Sequence, residues 1–163
     1  PNLYESVGQL EWYVTLKDCP CKIKIDRLII DYHAKLITLI DVKTLGDFSS
    51  NFEMHMNMFS YQIQSEYYTK VFKEGTNAKS NIPGFVDKIN DLLSQGFTIN
   101  DDFIFIVVPK NDSAILDCFY RTGQKETLDK IELAMKMYLT CIEEGNSPSK
   151  QNYVETLEKW YVN

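Results

Sequence analysis

The 163-residue sequence predicts one α/β domain, residues 1–163, with a mixed central sheet flanked by helices. Three observations predict it. Apolar residues alternate with period two from Leu10 to Ile25 and then fill both faces at Leu28-Ile29-Ile30, step by three or four after Gly46, and form one continuous run at Phe103–Val108 (FIFIVV). A last helical stripe follows that run.

Each element has its own signal. Leu10, Trp12, Val14 and Leu16 alternate with Glu11, Tyr13 and Thr15, as a strand with one buried face requires. Asp18-Cys19-Pro20 reads as a turn. Cys21 to Tyr32 (CKIKIDRLIIDY) is a second strand, His33-Ala34-Lys35 a polar turn, and the β-branched stretch Leu36 to Val42 (LITLIDV) a third. Two antiparallel hairpins in series follow. From Phe48 to Lys73 the positions Phe52, Met56, Phe59, Ile63, Tyr67 and Val71 predict one long amphipathic helix, capped by Ser49 or Ser50, with that stripe on the sheet.

Gly75 to Gly84 (GTNAKSNIPG) reads as a loop. Pro83 opens a helix carrying Phe85, Ile89, Leu92 and Leu93 that stops at Gly96. FIFIVV is too short for a helix and predicts a strand buried on both faces. Ala114 to Tyr120 is another strand, and Gln124 to Glu144 a helix with Leu128, Ile131, Met135, Tyr138 and Ile142 on one stripe. Gly145 to Asn152 reads as a linker, followed by a terminal segment whose Leu157 and Trp160 are available to dock. The predicted order is β-β-β-α-α-β-β-α.

Charge narrows the function. Lys and Arg total 17 against 23 Asp and Glu, a net charge of -6, which excludes a protein that coats nucleic acid through bulk charge. A local basic patch, or a metal bridging acids to phosphate, stays compatible. No apolar run approaches the roughly 20 residues of a membrane span and no signal peptide is evident, so the expectation is a cytoplasmic protein with no membrane partner. Four cysteines, two of them in a Cys-x-Cys pair, fit reduced thiols, with Cys118 and Cys141 expected in the core. His33 and His55 read as surface residues, and Met54, Met56 and Met58 as packing.

The chemistry concentrates in Asp26 and in Asp41-Val42-Lys43. On neighbouring strands of a hairpin the two acids can converge, and residues 41 and 43 project from one face. Two carboxylates with a lysine suit Mg²⁺-dependent phosphodiester hydrolysis: the acids and the Val42 carbonyl offer oxygen ligands, and the lysine activates water or offsets phosphate charge. Asp41 ends an apolar run where an unpaired carboxylate would be costly. Gln64 and Tyr68 lie one turn apart on the following helix, with Tyr61 a turn earlier.

Asp26, IDVKT (Ile40–Thr44) and YQIQSEYY (Tyr61–Tyr68) together resemble the PD-(D/E)XK nuclease core with its trailing Q-x-x-x-Y motif. Within that superfamily the chain is most similar to the RecE-type exonucleases (exodeoxyribonuclease VIII-like). The likeness also takes in Trp12, CKIKIDRL, FIFIVV and a Trp-bearing tail. It implies a restriction-endonuclease-like core that hydrolyses DNA with Mg²⁺ or Mn²⁺: a 5′→3′ exonuclease on double-stranded DNA, a homo-oligomer working beside a single-strand annealing protein in phage-type recombination. Asp26 and Asp41 would ligate the metal, Lys43 would be the catalytic lysine, and Gln64 and Tyr68 would orient it or touch the DNA backbone.

Departures are visible. Ile25 stands where a proline is usual, and the second acid is Asp rather than Glu. Those nucleases carry upstream helices that supply a His or Glu, and this sequence starts at Pro1, so that part is expected to be missing. Glu11 is the carboxylate that could replace it as a third ligand. Lys70 and Lys73, with Lys79 and Lys88, are the candidate DNA-backbone cations. Two other classes fit the same residues: a non-catalytic DNA-binding or assembly module with an incomplete site, and a structure-specific or restriction-type endonuclease.

Overall fold

Two residues turn the first hairpin. Lys17 and Asp18 hold left-handed φ values of 49° and 63°, the two-residue geometry whose twist matches right-handed strands. They join β1 (Tyr4–Leu16) to β2 (Cys19–Asp31) in a computed structural model that describes residues 3–45, 54, 56, 59–110, 117–121 and 123–145. Cys19 and Pro20 are therefore strand residues, paired with Leu16 and Thr15, rather than part of the turn. Pro20 fits because β3 (Leu36–Leu45) pairs with β2 only over Arg27–Asp31 and never reaches that level. At the second turn the Asp31 carboxylate accepts the His33 and Ala34 amides at 2.9 and 2.8 Å. The two antiparallel hairpins stand as expected.

The remaining elements are α1 (Tyr61–Glu74), β4 (Thr76–Ser80), α2 (Phe85–Ser94), β5 (Thr98–Ile99), β6 (Phe103–Pro109), β7 (Asp117–Arg121) and α3 (Lys125–Glu143). One mixed sheet runs β4-β1-β2-β3-β6-β7, with β5 also paired to β3. The β3–β6 pairing is parallel, from Ile40↔Ile104 to Leu45↔Pro109, so the chain between them must cross over. That crossover contains α1 and α2. The fold is mixed α/β, as predicted, with two strands that the sequence did not signal.

Those strands are β4 and β5. TNAKS, read as loop, has no apolar alternation; it is held by backbone pairing to Trp12, Tyr13 and Thr15 at the sheet edge. β5 has two residues and pairs with Leu36 and Ile37. In β6, Phe103, Phe105 and Val107 are buried while Ile104, Ile106 and Val108 are half-buried, so one face is more open than FIFIVV suggests.

The first helix departs most from expectation. Met54 and Met56 are helical, but a turn at Phe59–Ser60, with Ser60 at φ 53°, separates them from α1. Ser49, Ser50 and Phe52 lie outside the described residues, as do His55, Ala114–Leu116 and the tail with Leu157 and Trp160. Phe59 and Ile63, assigned to the sheet-facing stripe, are exposed. Val71 of the same stripe is buried and Tyr67 packs on the core, and aromatics beside them fix the contact: Tyr61 stacks on Phe105, Tyr68 meets Phe103 edge-on and Phe72 packs on Trp12. On α3, Ile131, Met135, Met137 and Cys141 are buried, and Ile142 is exposed.

One core joins both ends of the long hairpin. Leu10, Trp12, Val14 and Leu16 are buried opposite Ile25, Ile23, Cys21 and Cys19, yet further along β2 the buried residues are Leu28 and Ile30. Strict alternation would put Ile25 and Leu28 on opposite faces. Helix α1 nevertheless faces both regions: Phe72 packs on Trp12, and Gln64 meets Asp41, which shares a face of β3 with Leu39 and Ile37, the partners of Leu28 and Ile30. The phase is reset across Asp26–Arg27, and beside it in β1 Gln9 adopts φ 51°. Such a left-handed residue inside a strand costs a non-glycine side chain about 1–3 kcal/mol.

Candidate functional site

Asp41 and Lys43 are two apart on β3 and project from one face, toward α1. Asp41 is 6% exposed. Its Oδ2 lies 2.6 Å from Lys43 Nζ, an ion pair without hydrogen-bond alignment. Gln64, one turn into α1, closes the set: its Nε2 donates to Asp41 Oδ1 at 2.7 Å and its Oε1 accepts from Lys43 Nζ at 2.8 Å. Carboxylate, ammonium and amide thus form a ring in which each touches the other two. The Lys43 ammonium also sits 4.3 Å from the Tyr61 ring centroid and 5.8 Å from that of Phe105, an aromatic floor that favours a cation.

Asp26 approaches from β2. Its Oδ2 accepts the Val42 amide at 3.0 Å and its Oδ1 the Gln9 side-chain amide at 3.4 Å. It lies one residue before Arg27↔Ile40, where the β2–β3 ladder stops. Asp26 therefore rests against the main chain between Asp41 and Lys43.

The donors are hard: two carboxylates on adjacent strands, plus the carbonyl of Val42, whose side chain is exposed. Among the described residues no three His, Cys, Asp or Glu side chains converge. Two carboxylates suffice for Mg²⁺, which commonly takes one or two from the protein and completes its octahedron with water and phosphate. Asp41 Oδ2, which among the described residues has the Lys43 ammonium beside it and no hydrogen bond, is an oxygen that a cation could share. The residues present fit such an ion.

Glu11 does not join them. The Tyr13 hydroxyl and Lys22, at 3.0 Å, hold its carboxylate and lower its pKa, the Tyr13 hydrogen bond acting most. Its strand neighbour Trp12 faces α1, so Glu11 points to the other side. Tyr68 shares the sheet-facing side of α1 with Gln64, but its contacts are rings, Phe103 at 6.0 Å and Tyr67 at 6.2 Å, and its hydroxyl reaches neither Lys43 nor Gln64.

The candidate DNA cations are mostly engaged. Lys70 pairs with Glu74 at 2.9 Å and Glu132 at 3.5 Å; burial works to lower its pKa, but the two acids outweigh it and the net shift is upward. Lys73 pairs with Asp101, and Lys88 with Glu5 at 2.6 Å. Lys79 is exposed. Three cysteines, Cys19, Cys21 and Cys141, are buried free thiols, and the Cys118 side chain lies outside the described residues. Burial, with Cys21 adding, pushes the Cys19 thiol up to about 11, away from nucleophilic use.

Sequence reasoning missed three participants. Tyr61 was visible as an aromatic one turn before Gln64, without a role. Phe105 was hidden in an apolar run until β3 proved to be its neighbour. Gln9 carried no signal, because left-handed backbone is expected at the adjacent Gly8 instead. No described helix is long and apolar enough to cross a membrane. No protein-family model matches the chain, and no curated protein matches it in sequence.

Proposed function

We propose that the chain is a metal-dependent deoxyribonuclease with the restriction-endonuclease-like core of the PD-(D/E)XK superfamily, akin to the RecE-type exonucleases. The observation that carries this reading is the Asp41–Lys43–Gln64 ring with Asp26 lodged against Val42. Asp26, Asp41 and the Val42 carbonyl would hold Mg²⁺ or Mn²⁺. A bound ion supplies Lewis-acid polarisation of the scissile phosphate and a water acidic enough to attack it. Gln64 and the Tyr61 ring would still hold the Lys43 ammonium in place when Asp41 turns to another cation. The ammonium can then donate to the phosphate oxygen that gains charge.

The finer assignment is a 5′→3′ exonuclease on double-stranded DNA, acting as a homo-oligomer beside a single-strand annealing protein. It is supported by the likeness of YQIQSEYY and IDVKT to that branch. Linear duplex labelled at either end, and relaxed closed circular DNA, test it with Mg²⁺ or Mn²⁺ present. Loss of label from 5′ ends with the circle intact is expected. Cutting of the circle would replace the exonuclease by an endonuclease of the same fold. One observation favours a second reading, a non-catalytic DNA-binding or assembly module: no three His, Cys, Asp or Glu side chains converge among the described residues. Duplex binding with no metal-dependent product from either substrate would select it.

A further inference from the structure

We infer that Gln9 is a positioning residue for Asp26, its left-handed backbone and its side-chain amide together aiming that carboxylate at the end of β3. The inference rests on the nuclease reading for its purpose, though its geometry stands apart from it. Gln9 is in the interior of β1 between the paired residues Gly8↔Arg27 and Leu10↔Ile25, so it is level with Asp26. Its φ of 51° is a conformation that a side chain bearing Cβ adopts only under constraint. The adjacent Gly8 would have taken it without strain, yet the left-handed residue is Gln9.

Two consequences meet at Asp26. The burial phase of both strands shifts at this level, from Leu10 and Ile25 on one side to Val7 and Leu28 on the other. Asp26, in the shift, belongs to neither the buried row nor the Lys22–Lys24 outer row and is half-exposed. Its carboxylate then has a definite direction, because each oxygen has one donor: Val42 N–H on Oδ2 at 3.0 Å and Gln9 Nε2 on Oδ1 at 3.4 Å. A carboxylate oxygen accepts two hydrogen bonds, so each keeps a free lone pair. The group is held without being used up. Partners that orient a metal ligand in this way commonly change metal affinity by 10- to 100-fold when removed.

The test uses two substitutions that tolerate the left-handed backbone and lose the reach of the amide, Gln9→Gly and Gln9→Asn. Two readouts are followed: exchange of the Val42 amide by NMR in metal-free protein, and Mn²⁺ affinity by calorimetry. Both variants are expected to keep the wild-type Tm or exceed it. Val42 exchange is expected to accelerate severalfold as Asp26 loosens, and Mn²⁺ to bind about tenfold more weakly. Wild-type Val42 exchange in both variants would overturn the positioning role, whatever the metal does. Faster exchange with wild-type Mn²⁺ affinity would overturn its link to the ion. If the wild-type protein binds no Mn²⁺ at all, the metal-dependent reading fails, and the Val42 exchange rate still decides whether Gln9 positions Asp26.

Discussion

Lys43 is the residue on which the ring turns. Without it, Asp41 is a buried carboxylate whose remaining neighbour is the Gln64 amide, and an uncompensated charge of that kind typically costs about 3–5 kcal/mol. Lys43→Ala is therefore expected to lower Tm markedly in metal-free buffer. Mn²⁺ should recover much of the loss, since a ligand at 100 times its Kd contributes about 2.7 kcal/mol. Thermal scans with and without MnCl₂ measure both arms; a variant as stable as wild type without metal would mean that the Asp41–Lys43 ion pair does not support the fold. Gln64 and Tyr68 separate by the same reasoning. Gln64→Ala strips one partner from each charge and should cost about 1–3 kcal/mol, with cleavage reduced by about one to three orders of magnitude under the nuclease proposal. Tyr68→Phe removes a hydroxyl that makes no hydrogen bond among the described residues and should leave cleavage and Tm unchanged. Period-two spacing made the Asp41–Lys43 face legible, and helical spacing made Gln64 legible. Helical spacing also put Tyr68 on the side of Gln64, but could not say that its partners there are the Phe103 and Tyr67 rings.

Helix α1 shows what a hydrophobic period can miss. The stripe from Phe52 to Val71 runs across the turn at Phe59–Ser60, where Ser60 is left-handed: Phe59 and Ile63 are exposed, while Tyr67 packs against the core and Val71 is buried in it. Helix α1 ends in a tight contact: a Cβ on Gly75 would collide with the Val14 side chain and the Val71 carbonyl. Gly75→Ala is expected to destabilise by about 1–3 kcal/mol through overpacking, read from a urea midpoint. Gly75 has an ordinary φ of -68°, so the constraint is the approach of β1 and not the backbone angle. On the other helix, Lys88 ties α2 to the start of β1 by donating to Glu5 at 2.6 Å. That bond is the main cause of the lowered Glu5 pKa; burial opposes it and the Tyr32 hydroxyl adds to it. A depressed carboxyl contributes stability above its ordinary value of 4.5 and loses it as pH falls through the folded value. Wild type should thus exceed Glu5→Gln by up to about 1 kcal/mol at neutral pH, because the pair is exposed, and the gap should close below pH 4.5. A constant gap across that range would remove the ion pair as its cause. Helix α2 itself was legible from Pro83 and its four apolar residues, whereas its clasp to Glu5 depends on where β1 begins, well before the alternation that revealed the strand.

At the scale of the whole molecule, local pairing was readable and distant pairing was not. Alternation from Leu10 to Ile25 and the β-branched stretches after it revealed two hairpins, but nothing in LITLIDV or FIFIVV says that these strands lie parallel and adjacent. That contact alone puts Phe105 beneath Lys43. Edge strand β4 escaped notice because an edge needs only backbone groups, and TNAKS supplies them without apolar residues. The same contrast between near and far gives the chain an order of assembly. Lys17 and Asp18 are already the whole connection between two 13-residue strands, so β1 and β2 can meet on the microsecond scale of hairpins. The β3–β6 register must wait for α1, β4, α2 and β5 to be gathered, with the loop-closure entropy that entails. The first turn is accordingly expected to be formed in the folding transition state. Replacing Lys17-Asp18 by Asn-Gly, residues at ease with two left-handed φ values, should speed refolding and leave the unfolding rate unchanged. A stopped-flow chevron that moves only on its unfolding limb would instead place turn closure after the rate-limiting step.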